Sequence, residues 1–160
     1  MSIKTIKINN PKHLNFIFGQ SHFIKTVEDL NEALIVSIPE IKFGLAFAEA
    51  SGPCLIRTAG TIEKLKKLAA DNIMKIGAVH YYLVHMENCF PINVLTAIKQ
   101  VSEVCQIFCA TANETEVIVY QTKHGRAILG VVDGQSPKGI EGKKEIKERK
   151  QFLRKIGYKL

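Results

Sequence analysis

No apolar run in the chain approaches the roughly 20 residues that a membrane-crossing helix needs, so no bilayer span is expected. The first residues, Met1–Ile8, alternate apolar and polar side chains and lack a signal-peptide core, which predicts a cytoplasmic protein. Cysteine is scarce. Cys54, Cys89, Cys105 and Cys109 all lie in apolar segments and none forms a Cys-x-x-Cys pair. That pattern predicts buried, reduced thiols and argues against a zinc site. Also missing are the Walker lysine loop and Gly-x-Gly-x-x-Gly, so neither standard phosphate loop is available. The Gly-x-Ser-x-Gly elbow of one hydrolase class is absent too. With no internal repeat, linker or low-complexity segment, residues 1–160 should form a single domain.

What the chain does contain is globular: 46% hydrophobic residues against 23% charged. Its net charge of +7 is concentrated at one end, because Lys138–Leu160 holds nine Lys or Arg and three Glu. A nucleic-acid groove would spread basic residues over several elements with aromatics between them, so the tail reads as one solvated helix face.

Strands are expected at Ile3–Ile8, Lys42–Ala50, Cys54–Thr58, Ala78–Met86, Val104–Cys109, Glu116–Thr122 and Arg126–Val132. Ser51-Gly52-Pro53 should turn the second strand into the third, and His124-Gly125 should join the last two. One face of Lys42–Ala50 carries Gly44, Ala46, Ala48 and Ala50, so a neighbour should pack there very closely. Four helices are expected. The first opens at Thr26 through a capping box with Asp29, and the second is capped by Thr61. A third starts near Pro91, and the last runs from about Lys143 to a cap at Gly157, with Glu145 and Arg149 paired. Hairpins beside helical crossovers predict an α+β (mixed α/β) domain with a mixed, largely antiparallel sheet, neither Rossmann nor P-loop.

Several residues could carry chemistry. Gly130–Gly139 reads Gly-Val-Val-Asp-Gly-Gln-Ser-Pro-Lys-Gly, an apolar strand running into small and polar residues. Amides at Gly130 and Gly134 could cradle phosphate, with Asp133 holding a metal ion or a ribose hydroxyl. The same letters suit an ordinary turn. His80 lies within an expected strand, either as a hydrogen-bonded core residue or as a nucleophile able to take up a phosphoryl group. His85 should point to the opposite face. His22 precedes a helix N-terminus, where an anion is favoured, or is a surface residue. Glu49, leading into Ser51 and Gly52, could accept a ribose hydroxyl or act as a base, or simply reach solvent at a strand end. Asn93 could donate to a base or phosphate, or cap its helix.

Together these segments resemble the adenosine-specific kinase family of archaea and bacteria. The likeness is carried by Gly19–Leu30, Lys42–Gly52, Ile76–His80, Phe90–Leu95, Glu103–Asn113, Gly125-Arg126, Leu129–Gly134 and Arg154–Tyr158. The resemblance implies phosphorylation of adenosine to AMP by ATP or another phosphoryl donor with Mg2+, with adenosine or AMP as ligand. It also implies a homo-oligomer built from trimers and a phosphorylated histidine. His80 is the candidate, in Ile-Gly-Ala-Val-His, and His22 the reserve. On this reading His80 and Asp133 are catalytic, while Glu49, Ser51, Gly52, Asn93, Gly130, Gly134 and His22 bind substrate. A non-catalytic AMP or adenosine sensor is the alternative. Two departures are Val79, where glycine is expected, and Ala48, where cysteine is common.

Overall fold

The computed structural model describes all 160 residues. Eight strands and four helices follow in the order β1 (Ser2–Lys7), β2 (Asn15–Ser21), α1 (Thr26–Ser37), β3 (Phe43–Ala48), β4 (Ile56–Gly60) and α2 (Glu63–Ile76). They continue with β5 (Tyr81–Met86), a 3-10 turn (Pro91–Asn93), α3 (Leu95–Lys99), β6 (Val104–Thr111), β7 (Thr115–Gln121), β8 (Arg126–Asp133) and α4 (Lys143–Lys155).

The α+β class, the four helices and the antiparallel pairing are those expected, but the strands divide into two sheets. One is five-stranded in the order β4-β3-β5-β2-β6, the other three-stranded in the order β1-β7-β8. Every strand pair is antiparallel. The strand missing from the sequence reading is β2, which stands between β5 and β6. Its Phe16, Ile17 and Phe18 are all fully buried, one after another. A strand covered on both faces loses the period-2 alternation by which strands are recognised.

Two cores flank the large sheet. On one side Leu30 and Leu34 of α1 and Ile98 of α3 pack with Leu45, Phe47, Tyr82 and Val84. On the other, Ala69, Ile73 and Ile76 of α2, together with Val117 and Val119 of the small sheet, pack on Ala46, Ala48, Phe18 and Leu83. Each fully buried Phe or Leu side chain contributes about 1.5–3 kcal/mol relative to exposure. The small-residue face of β3 is where α2 makes its close approach: a Cβ at Gly44 would overlap the backbone of Leu65 and Lys66.

Two expected helix caps do other work. Thr26 is the first residue of α1, behind Lys25, and its hydroxyl meets Ser21 Oγ at 2.6 Å and the Phe23 carbonyl. Thr61 lies before Ile62 at the start of α2, accepts from the Phe43 N–H and donates to the Ile41 carbonyl (3.1 and 2.7 Å). Both hydroxyls tie sheet to loop rather than satisfying helix amides. Helix α4 begins and ends as expected, with Gly157 left-handed past its end, but Arg149 pairs with Glu141 (2.6 Å) instead of Glu145. Glu145 accepts instead from the Gly142 N–H. Two cysteines also depart from expectation: Cys89 and Cys109 are buried, whereas Cys54 and Cys105 are exposed.

His85 faces the α2 side and is completely buried, with Nε2 3.3 Å from the Asn72 side-chain amide. Burial lowers its pKa to about 4. The unfolded chain, with an ordinary histidine pKa of about 6.5, therefore binds more protons between those values. Folded stability is expected to be complete above about pH 6.5 and to fall by up to about 3 kcal/mol towards pH 4. Urea unfolding across that range checks this. A His85→Gln variant should flatten the profile, and an unchanged profile would assign the acid sensitivity elsewhere.

Candidate functional site

One end of the five-stranded sheet gathers β4 at its start, β3 at its end, β5 at its start, β2 at its end and β6 at its start. The antiparallel register dictates this. Helix α2 stops at Ile76 because Gly77 takes a left-handed conformation (φ 65°) and returns its N–H to the Ile73 carbonyl. Arg126, at the start of β8, donates to the carbonyls of Lys75 and Ile76 (2.8 and 2.9 Å), fixing the same corner. Three residues later comes His80.

His80 is not inside β5 but immediately before it, and its φ of 64° is left-handed. Histidine adopts that region uncommonly, so surrounding contacts must hold it. They are on both sides: the His80 N–H donates to the Ala48 carbonyl (2.7 Å), and its carbonyl accepts from the Ser21 N–H (2.9 Å). The backbone of His80 thus continues the ladder between β3 and β2 while its ring is turned out of the pleat. The ring lies nearly parallel to Phe47 (centroids 6.3 Å, 11°) and edge-on to His22 (6.2 Å, 78°).

Glu49 completes the centre. It is 3% exposed, and its Oε1 accepts from the N–H groups of Ala50 and Ser51 and from Ser51 Oγ, at 2.9–3.1 Å. The Ser51 N–H holds its pKa below the usual carboxylate range, with burial opposing and Ser51 Oγ, the Ala50 N–H and His80 assisting. Its second oxygen, Oε2, is buried with no hydrogen-bond partner. A charged carboxylate that leaves one acceptor unpaired inside the protein is unusual. Gly52 follows Ser51 in the exposed turn.

On the far side of His22, its N–H donates to the Glu103 carbonyl (2.9 Å). Burial raises the Glu103 pKa, and Lys25 Nζ lies 3.6 Å from its Oε2 and 3.1 Å from Asp29. An exposed apolar rim surrounds the histidines: Phe23, Ile24, Leu55 and Val79 are each 40–51% exposed. Val79, the departure from the family pattern, points substantially into solvent.

His80, His22, Glu49, Ser51 and Gly52 therefore lie together at this end of the sheet. The other sequence candidates stand elsewhere in the chain. Asp133 accepts from the Asn113 side chain (3.0 Å), beyond the C-terminal end of β6, whereas His22 and Glu103 lie at its N-terminal end. Eight residues of strand separate the two ends, about 25 Å. Gly134 packs on Asn113 as well, and Gly130 lies within β8 with nothing near its Cβ position. Asp133 borders, through Asn113, a polar cleft of about 370 Å³ whose lining includes Asn9, Asn10, His13 and Lys75. Asn93 follows the opposite end of β5, and its side-chain oxygen accepts from the Phe90 N–H (3.0 Å) as a local cap. The association of these four residues with His80 is not found within one chain, because strand direction carries them away.

The chain matches the family model "Adenosine specific kinase" over residues 6–159. It belongs to the adenosine-specific kinase family. No curated protein matches it. Among solved structures it is similar to the PH1918 protein from Pyrococcus horikoshii OT3, with 45% identity, 99% of this chain and 98% of that one covered, and a TM-score of 0.94. Residues missed in the sequence also line the site: Phe47, Arg57, Lys25 and Glu103. Arg57 could have been noticed from its place in a short strand opposite Glu49's strand, but a buried carboxylate such as Glu103 leaves no periodic signal.

Proposed function

We propose that the chain phosphorylates adenosine to AMP, with His80 relaying the phosphoryl group. The observation that carries this reading is the left-handed His80, held by two backbone hydrogen bonds beside a buried, half-unpartnered Glu49. Backbone held in a sparsely populated region by its surroundings is a frequent mark of a functional residue. Family membership supports the substrate class.

In this mechanism an unprotonated His80 ring nitrogen attacks the terminal phosphorus of the donor. A P–N bond forms, the P–O bond to the donor breaks, and a nucleoside diphosphate leaves when ATP is the donor. The 5′-hydroxyl of adenosine then attacks phosphorus and its proton is released, while the P–N bond electrons return to the imidazole. Glu49 Oε2 accepts a ribose hydroxyl and fixes the sugar relative to His80. The exposed faces of His22 and Phe23, whose rings stack at 6.1 Å, offer the purine an aromatic platform. A divalent cation carried by the donor phosphates would neutralise their charge.

Incubation with ATP, Mg2+ and adenosine, read by chromatography, should yield AMP. Tight AMP binding by calorimetry with no AMP formed from any donor would favour the sensor instead.

The protein also self-associates on this reading, in trimers or a multiple of them. Helix α4 has no buried residue; Phe152 on it and Ile156 just past its end are 58% and 43% exposed. A second copy would cover them. Sedimentation velocity should show a species of at least three chains, and a monomer would end that proposal.

A further inference from the structure

Arg57 is the cation of this region that nothing inside the protein uses. It sits on β4 directly opposite Phe47 of β3, so both side chains leave the same face of the sheet. Phe47 in turn stacks on His80. The Arg57 Nε is buried with no hydrogen-bond partner, and no carboxylate pairs with its guanidinium. A buried guanidinium nitrogen without a partner is costly, and proteins seldom leave one so. Arg57 lines an open groove of about 460 Å³ with Ile24, Lys25, Val27 and Glu28, at the first turn of α1. Lys25 also lines the neighbouring groove beside His22 and is already held by Asp29 and Glu103. Arg57 is free.

We infer that Arg57 is the residue that binds the phosphate of the nucleotide, an assignment that rests on reading this end of the sheet as a nucleotide site. A guanidinium presents paired N–H donors that match two phosphate oxygens at once, which a lone ammonium cannot. This moves phosphate recognition from the amides of Gly130, within β8, and Gly134, at the far end of β6, to the strand next to Glu49. It also sets the order of the groups along the sheet edge: phosphate at Arg57, transfer at His80, purine towards His22.

Calorimetric titration of the full chain with AMP, adenosine and inorganic pyrophosphate tests it. Arg57→Gln should weaken AMP and pyrophosphate by about 10-fold or more and leave adenosine within about twofold, because only the phosphate-bearing ligands lose a charge-assisted pair. Arg57→Lys should fall between, keeping the charge without the fork. Unchanged AMP affinity, equal weakening of AMP and adenosine, or wild-type protein that binds no phosphate-bearing probe would each overturn the assignment. Should Arg57→Gln melt early, Arg57→Met, which keeps the apolar stem, supplies the same comparison. Pyrophosphate bound through Arg57 with neither adenosine nor AMP bound would keep the cation and remove the nucleoside reading.

Discussion

A His80→Asn substitution is expected to leave the fold intact and to lower adenosine phosphorylation on the order of 10³-fold or more, the scale on which loss of a covalent nucleophile is felt. Asparagine is chosen because it tolerates the left-handed conformation that His80 occupies at φ 64°. The hydrogen bonds to Ala48 and Ser21 are made by the His80 backbone, so they survive the change. What disappears is the ring nitrogen and its packing against Phe47 and His22. His80→Ala would confuse two effects, since a Cβ-only residue at that φ adds backbone strain of its own. Initial rates of AMP formation, with circular dichroism to verify folding, decide the matter. Unchanged turnover in a folded His80→Asn protein removes His80 from the mechanism, and His22, 6.2 Å away, becomes the candidate.

The largest effect on stability is expected at Gly44, far from any chemistry. Gly44 pairs with His85 on one side and Gly60 on the other, at the level where α2 begins. A methyl group there would overlap main-chain atoms of Leu65 and Lys66, which cannot rotate away as a side-chain end could. Either α2 lifts from the sheet or β3 bends, and both open the core around Ala69 and Ile73. Gly44→Ala should therefore cost at least about 3 kcal/mol, despite being a single added carbon. For a domain of this length that corresponds to a melting temperature lowered by roughly 6–12 °C. A thermal melt within about 2 °C of wild type, less than 1 kcal/mol, would show that α2 can yield here.

Much of this architecture was legible because it depends on local pattern. The turn at Ser51–Pro53, the tight join at His124-Gly125 and the close face of Gly44, Ala46 and Ala48 follow from residue size and turn chemistry. What failed depended on tertiary surroundings. Strand β2 is central and covered on both faces, so Phe16–Phe18 carries no alternation. His80 reads as part of a strand because Ala78–Met86 is rich in Tyr, Val and Leu, yet Gly77 and the α2 stop displace the chain before Tyr81. Thr26 and Thr61 match cap chemistry, but their hydroxyls bond outside their helices, Thr26 to Ser21 and Phe23 just before it and Thr61 to Ile41 across the sheet.

The site was legible in its centre and not at its edges. Glu49 and Ser51 stand out in the sequence as a carboxylate and a hydroxyl at the end of an apolar strand, and His80 as an imidazole within one. Asp133 satisfied the same criterion, but residue type cannot reveal which end of a sheet a strand terminates at. Arg57 and Glu103 carry no sequence signal because what distinguishes them, an unpartnered guanidinium nitrogen and a buried carboxylate 3.6 Å from Lys25, exists only once neighbours are placed.

The most direct measurement is to trap the phosphorylated protein. Brief incubation with γ-labelled ATP and Mg2+, followed by peptide mass spectrometry at alkaline pH, should place an acid-labile phosphate on His80. Adding unlabelled adenosine to the isolated phosphoprotein should chase the label into AMP as fast as the steady state turns over. AMP formed at the full rate with no phosphate on His80, or label that adenosine cannot remove, would contradict the relay through this histidine.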